Sequence, residues 1–242
     1  MNIIKLNAIP STNDYLKELS VRLEIEDFTV VIADFQTKGK GQMGTHWLTE
    51  PNTNLTFSLL LNGDYLKIES IFSLNIMVAN SVIYALKKFG LQHIAVKWPN
   101  DILSYNKKLC GILIENNIKS DGSIQSVVGI GINLLQKDFS GLPKATSVLE
   151  CSGLVIDKIE LMKTIVYSLK EKMQHFLEIV EFEWQYYHEN LYKKGMAMMF
   201  EDETKHRFPG IIQKVNKNGQ LEVMLENDVV ASFNLKEIKM LY

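Results

Sequence analysis

Three short clusters in this chain combine residue types that could bind and activate a phosphorylated ligand. The first is Gly39-Lys-Gly-Gln-Met-Gly44, a glycine-rich run with one lysine, whose amides could wrap an anion as a backbone nest. Its GxGxxG spelling invites a dinucleotide-binding reading. However, Thr45-His-Trp-Leu-Thr-Glu-Pro51 follows without helical periodicity, so the helix N-terminus that a pyrophosphate site needs is not expected. Gly44 precedes Thr45 and not a lysine, which also argues against a Walker loop. The second cluster, Lys97-Trp-Pro-Asn-Asp101, brings a lysine, an amide and a carboxylate to a strand end. That set suits ATP and its metal, or an ordinary Asn-Asp turn. Lys107-Lys108-Leu-Cys-Gly111 then enters a strand with a basic pair, which is either a solvated turn or a charged approach to a ligand. The third cluster, Gly129-Ile-Gly-Ile-Asn133, puts two glycines inside a strand, the mark of a bulge or of a group packed closely against the backbone.

Strands and helices must hold these clusters. Ile3 to Ile9 reads as a first apolar strand, and Ser11 can cap a helix through Tyr15, Leu16 and Leu19, with Asp14 completing a capping-box pattern. Phe28–Phe35, Leu55–Leu61 and His93–Lys97 read as buried strands. Ile71, Leu74, Val78, Val82, Leu86 and Phe89 recur at helical spacing, and Gly90 stops that helix. Leu109–Glu115 and Ile124–Ile132 form an expected antiparallel hairpin, with Asp121-Gly122 as its turn. Met162, Ile165, Leu169, Met173, Phe176 and Val180 predict one long helix. From about Gly195 the pattern shifts to short strands with turns at Pro209-Gly210, Asn218-Gly219 and Asn227-Asp228, the pattern of a small β-barrel. We therefore expect a domain over 1–194 and a second over 195–242.

At 242 residues the chain can bury a sizeable core. No apolar run reaches the length of a membrane helix, and the amino end is too interrupted for a secretory signal, so the expected compartment is the cytoplasm. The two cysteines, Cys110 and Cys151, have no zinc-ligand spacing and no disulfide framework to join, and both are expected as core residues. A formal net charge of −2 with scattered lysines leaves no footprint for wrapping a nucleic acid, so DNA is not an expected partner.

Taken in order, Ser11-Thr-Asn13, Gln36, the Gly39–Gly44 loop with Trp47, Lys97-Trp-Pro-Asn-Asp101, Lys108–Glu115 and Gly129–Asn133 closely resemble the biotin–protein ligase family. Phe208-Pro-Gly210, Asn218-Gly219 and an expected strand from Phe233 to Met240 resemble the SH3-like domain that this family appends. The resemblance implies an α+β fold: a mixed β-sheet flanked by helices, the class II synthetase-like fold of biotin and lipoate ligases, with a small C-terminal SH3-like β-barrel. It implies an ATP- and Mg2+-dependent enzyme that forms biotinyl-AMP and transfers biotin to a lysine of a biotin carboxyl carrier protein, usually that of acetyl-CoA carboxylase. Biotin-binding residues would be Ser11, Thr12, Asn13, Gln36, Gly39, Lys40, Gly41, Gln42, Trp47, Lys108, Gly111 and Gly129. Lys97, Trp98, Asn100, Asp101 and Asn133 would lie on the ATP side. Lys108 would meet the biotin carboxylate and the α-phosphate, Lys40 would close over the intermediate, and Asp101 would orient the acceptor amine or take its proton. No metal site built by the protein itself is implied, and a homodimer is left open.

Two departures from the family matter. Lys40 and Gln42 stand where many members carry arginines, so the loop should hold phosphate with less charge and no bidentate geometry. Some members also begin with a helix-turn-helix domain, whereas the Ser11-Thr-Asn13 motif lies so early here that no such domain is expected. A lipoate ligase and a non-catalytic biotin sensor are the rival readings. Trp47 and the Lys97–Asp101 string disfavour the first, and retention of Lys108, Asp101 and Asn133 disfavours the second.

Overall fold

The fold follows from strand alternation and from helices that cover the two faces of one sheet unequally. The computed structural model of the chain describes residues 1–63, 71–119 and 122–242. The strands of the larger sheet are β1 (Ile3–Ile9), β2 (Val30–Gln36), β3 (Asn54–Gly63), β4 (Ile94–Lys97), β5 (Asp101–Ser104), β6 (Lys107–Ile118) and β7 (Ile124–Asn133), in the order β1-β2-β3-β7-β6-β5-β4. Only β1 and β2 pair in parallel, so the sheet is mixed. The helices are α1 (Thr12–Arg22), α2 (Ile71–Lys88), α3 (Val148–Ser152), α4 (Lys158–Gln174) and α5 (Phe176–Glu189).

Successive side chains point to opposite faces of a strand. On one face Leu55, Phe57, Leu59, Ile112, Val128, Ile130 and Ile132 pack with the apolar sides of α2 and α4 into the main core. On the other face α1 is the helix that packs among the described residues, through Leu16 against Val31, Leu60 and Val127. The rest of that face carries Thr56, Ser58, Gly111, Gly129 and Gly131, and this partly uncovered, glycine-floored surface holds the site.

Several elements match their sequence reading closely. β1 spans the expected residues, and α1 starts at a Ser11 cap whose Oγ accepts from the Asp14 amide at 3.3 Å. α2 ends before Gly90, which takes a φ of +95°. β6 and β7 pair antiparallel through Ile118 and Ile124, while Asp121 of their expected turn lies outside the described residues. Cys110 is fully buried and Cys151 half-buried, and both are free.

Four expectations are corrected. The single long helix expected from Met162 to Val180 is two, broken at His175 (φ −111°, ψ 21°). The break lets α5 turn Trp184 onto α2, where its Nε1 donates to Ser73 Oγ at 3.1 Å and its ring lies 5.9 Å from Phe72, while Leu177 is left exposed. Pro209-Gly210 is not a turn but lies inside β9 (Arg207–Val215), with Pro209 beyond the last pair that β9 makes with β10 (Leu221–Met224). The expected strand from Phe233 to Met240 is likewise two, β11 (Val230–Phe233) and β12 (Ile238–Leu241). A turn separates them, closed by Glu237, whose carboxylate accepts from the Asn234 amide at 2.6 Å.

With β8 (Ala197–Asp202) these strands form an antiparallel sheet ordered β11-β10-β9-β8-β12. Among the described residues β11 and β12 do not pair, so this sheet has two open edges where a closed barrel was expected. It docks on the first unit through Trp98, whose Nε1 donates to the Gly219 carbonyl at 2.9 Å, and through His188, whose Nε2 lies 3.1 Å from the Val215 amide. Among the described residues no helix is long and apolar enough to cross a membrane.

Candidate functional site

The glycines of the uncovered face are spaces that other side chains fill. A Cβ on Gly129 would lie 2.3 Å from Asn13 Oδ1, and one on Gly131 would lie 2.5 Å from Trp47 Cε2. On Gly111 it would meet Trp47 Cζ3 at 3.1 Å and Lys108 Cε at 3.4 Å. The close approach expected at these strand glycines is therefore made by Asn13 and Trp47, with no bulge in the β6–β7 register.

At one end of the cleft the start of α1 meets β2 and β3 in a buried polar cluster. The Thr12 amide and Oγ1 donate to Gln36 Oε1 at 2.8 and 2.9 Å. Ser58 Oγ lies 2.7 Å from Thr12 Oγ1 and 2.5 Å from Asn13 Oδ1, and Asn13 Nδ2 donates to Glu115 Oε2 at 2.7 Å. Ser11, Thr12, Asn13 and Ser58 are each 3% exposed or less. Buried donors and acceptors at this density can recognise a compact polar head group that would be costly to bury unpaired. Ser58 was not anticipated, although a serine two residues from a threonine within the apolar run Leu55-Thr-Phe-Ser-Leu59 was a usable signal.

The glycine-rich loop folds back over this face as a tight hairpin. The Gly41 amide donates to Thr45 O at 2.8 Å and the Trp47 amide to Gly39 O at 3.0 Å, with Met43 and Gly44 in left-handed conformations at the tip. No α-helix follows it, in line with the rejection of a dinucleotide fingerprint. Lys40 Nζ lies 2.7 Å from Asp14 Oδ1, a pairing that raises the lysine's pKa and ties the loop to α1. Trp47 spreads over Gly111 and Gly131, with its indole nitrogen buried and without a hydrogen-bond partner. The space left beneath the loop is only about 40 Å³, room for little more than one water. A bicyclic ligand would need Trp47 and its loop to lift.

Ser11, Thr12, Asn13, Gln36, Lys40, Gly41, Gln42, Trp47, Lys108, Gly111 and Gly129 all line this one cleft, together with Asn100. Gly39 abuts it, since a Cβ there would lie 3.0 Å from Gln36 Nε2. Lys97, Trp98, Asn100 and Asp101 line an adjoining cavity of about 410 Å³ between the two sheets. Asn133 lines a third, of about 350 Å³, with Trp47, Lys108 and Lys144. Three of these side chains already serve the fold. Trp98 holds the second sheet, Asn100 Nδ2 donates to Ile112 O at 2.7 Å, and Asn133 Nδ2 donates to Thr146 O at 3.0 Å.

Where the clefts meet, Asp101 sits among lysines. Its carboxylate is 2.6 Å from Lys108 Nζ and 3.9 Å from Lys97 Nζ. Burial lowers the pKa of Lys97, against the pull of Asp101, while Lys108 and Lys144 push it further down. Among the described residues Lys97, Lys108, Lys144, Lys236 and Lys239 line the cavity between the two sheets with Asp101 as its one acidic side chain, which leaves positive charge for an incoming polyanion. Lys144 was not anticipated. It reaches the cluster because the loop after β7 pairs with Lys108, whose amide donates to Lys144 O at 2.6 Å. Among the described residues no group of three His, Cys, Asp or Glu side chains could hold a metal.

The mixed sheet thus carries a buried polar pocket at one end and a lysine cluster at the other. Residues 6–133 match the Biotin/lipoate A/B protein ligase family, and the chain belongs to it. Within that family it is similar to biotin protein ligases. The structure of Biotin protein ligase from Aquifex aeolicus in complex with biotin and ATP superposes with a TM-score of 0.82 at 26% identity, covering 99% of this chain and 98% of that one. The Bifunctional ligase/repressor BirA of Bacillus spizizenii is 30% identical over 194 residues, 77% of this chain and 59% of the relative. The Biotin--[acetyl-CoA-carboxylase] ligase of Mycobacterium tuberculosis is 25% identical over 150 residues, 61% of this chain and 54% of the relative. The chain thus spans little more than half the length of these two curated relatives.

Proposed function

We propose that the protein activates biotin with ATP as biotinyl-AMP and transfers the biotin to a lysine of a biotin carboxyl carrier protein. The observation that carries this reading is that Thr12, Asn13 and Gln36 line the same cleft as Lys108. Such a cleft can seat a polar ring at one end and a carboxylate at the other. The names of the relatives support the choice of biotin and ATP.

In this scheme the ureido group of biotin exchanges hydrogen bonds with Ser11, Thr12, Asn13, Gln36 and Ser58. Its carboxylate oxygen attacks the α-phosphorus of ATP and pyrophosphate leaves. Lys108 lies where it can neutralise the negative charge that builds as two anions meet, the role of a preorganised charge. Asp101 orients Lys108 through their ion pair. Asp101, the one acidic side chain among the described residues of the cavity between the two sheets, would help hold a Mg2+ ion that keeps mostly phosphate and water ligands, and the ion would supply countercharge to the phosphates. In the second step a neutral lysine amine attacks the mixed-anhydride carbonyl and AMP leaves, and we assign Asp101 to orient that amine or take its proton. We take 1–194 as the catalytic unit and 195–242 as an SH3-like accessory unit, open at its β11 and β12 edges.

The test is a mass spectrum of a purified biotin carrier domain after incubation with the protein, ATP, Mg2+ and either biotin or lipoate. A single biotin adduct on one lysine is expected. No adduct, or a lipoyl adduct instead, would overturn the proposal.

A further inference from the structure

Lys144 has no part in the scheme above, yet it stands at its charged end. Its Nζ lies 4.0 Å from the centroid of the Tyr242 ring and donates to the Tyr242 main-chain oxygen. The same ring lies 5.5 Å from Lys97 Nζ. Lys108, Lys144 and Tyr242 line both the cavity that Asp101 lines and the one that Asn133 lines. Lys97, Lys108 and Lys144 repel one another, Lys236 and Lys239 line the same cavity, and a lysine on an exposed loop would ordinarily swing out to solvent. Tyr242 gives Lys144 a reason to stay, offering a π face and a main-chain oxygen to one cation.

The ring is itself anchored. Tyr242 follows β12, whose Leu241 pairs with Met199 of β8, and it packs edge-on against Tyr192 with centroids 5.4 Å apart. Its hydroxyl pKa is pushed up to about 12, by burial first and then by Asp101 and Tyr192, so the ring stays neutral beside the lysines.

Resting on the adenylation reading, we propose that Lys144 is a third phosphate-facing cation of the site and that Tyr242 is its positioning residue. Tyr242 keeps its ring against the ammonium while the nucleotide's phosphates bind, so the contact that positions Lys144 is still made in the bound state. Through this contact the second sheet acts on nucleotide capture while leaving the biotin end untouched.

The test is biotin-dependent ATP–pyrophosphate exchange on the full chain, titrated with ATP, beside calorimetric biotin binding without ATP. Lys144→Ala should raise the KM for ATP roughly 10- to 100-fold, the range of a hydrogen bond to a charged group. Tyr242→Ala should raise it roughly 3- to 30-fold, the range of a cation–π contact, and Tyr242→Phe, which keeps the ring, should stay within about twofold of wild type. The Lys144→Ala/Tyr242→Ala double variant should be no worse than Lys144→Ala alone, and biotin affinity should not change in any of them. An unchanged KM for ATP in Lys144→Ala, additive effects in the double variant, or Tyr242→Phe as impaired as Tyr242→Ala would overturn the inference while leaving the adenylation reading in place. A wild-type protein that shows no biotin-dependent exchange would overturn both.

Discussion

Replacing Gly129 with alanine probes the join between sheet and polar pocket. The new methyl carbon would sit 2.3 Å from Asn13 Oδ1 and 3.0 Å from its Cγ, so the amide must retreat by about 1 Å to reach ordinary contact. Asn13 cannot do so freely, because Ser58 holds its oxygen at 2.5 Å and Glu115 its nitrogen at 2.7 Å. Breaking the Ser58 contact leaves buried polar atoms unpaired, at a cost of about 1–3 kcal/mol. For a chain of this size that corresponds to a fall in melting temperature of roughly 2–12 °C. Since the displaced amide belongs to the proposed ureido pocket, biotin affinity should fall at least tenfold, about 1.4 kcal/mol. Gly111→Ala is the control: its methyl would meet Trp47 at 3.1 Å and Lys108 at 3.4 Å, side chains that can give way, so its cost should stay below about 1 kcal/mol. Scanning and titration calorimetry read both quantities. A Gly129→Ala protein that melts and binds biotin like wild type would refute the claim that Asn13 is fixed over Gly129.

Three further outcomes are expected. Lys108→Ala should remain folded and lose roughly 10²- to 10³-fold in biotin-dependent pyrophosphate exchange, and near wild-type exchange would reduce Lys108 to a surface lysine. Lys40→Gly removes the exposed 2.7 Å ion pair with Asp14 that ties the loop to α1. An exposed pair is worth at most about 1 kcal/mol, so bystander labelling of serum albumin by escaped biotinyl-AMP should rise by no more than about fivefold; no rise would mean that the loop is not held through Lys40. Burial lowers the pKa of His188, against the pull of the Val215 carbonyl 2.9 Å from its Nε2, so the neutral ring is favoured where the second sheet docks. The stability it contributes is therefore complete above its unfolded pKa of about 6.5 and is lost as pH falls through the depressed folded value. Proteolysis near residue 195 should accelerate below that pH in wild type, and a His188→Gln protein with the same acid profile would contradict this.

Much of the fold was legible where local pattern and tertiary packing agree. β1, α1 and α2 follow from apolar period, the Ser11 cap and the Gly90 stop. The break at His175 was not legible, because Met173 and Phe176 both stay in the core and only the demand of docking Trp184 on α2 turns the chain. Pro209-Gly210 reads as a turn by itself, but Gly210 is the strand position where Val223 and Phe200 press close. In the site, the motif residues do gather in adjoining clefts. What the sequence concealed was which groups occupy the glycine gaps, and that Trp98 and Asn100 are tied to the backbone. Ser58, Lys144 and Tyr242 join only through contacts between segments distant in the chain, so no local spacing marks them.

The central claim, that this cleft adenylates biotin, is tested most directly by ATP–pyrophosphate exchange with the purified chain, run with biotin, with lipoate and with no acid. The account predicts exchange that requires biotin and is absent with lipoate or without acid. Exchange with lipoate in place of biotin, or none with biotin at saturating ATP and Mg2+, would contradict it.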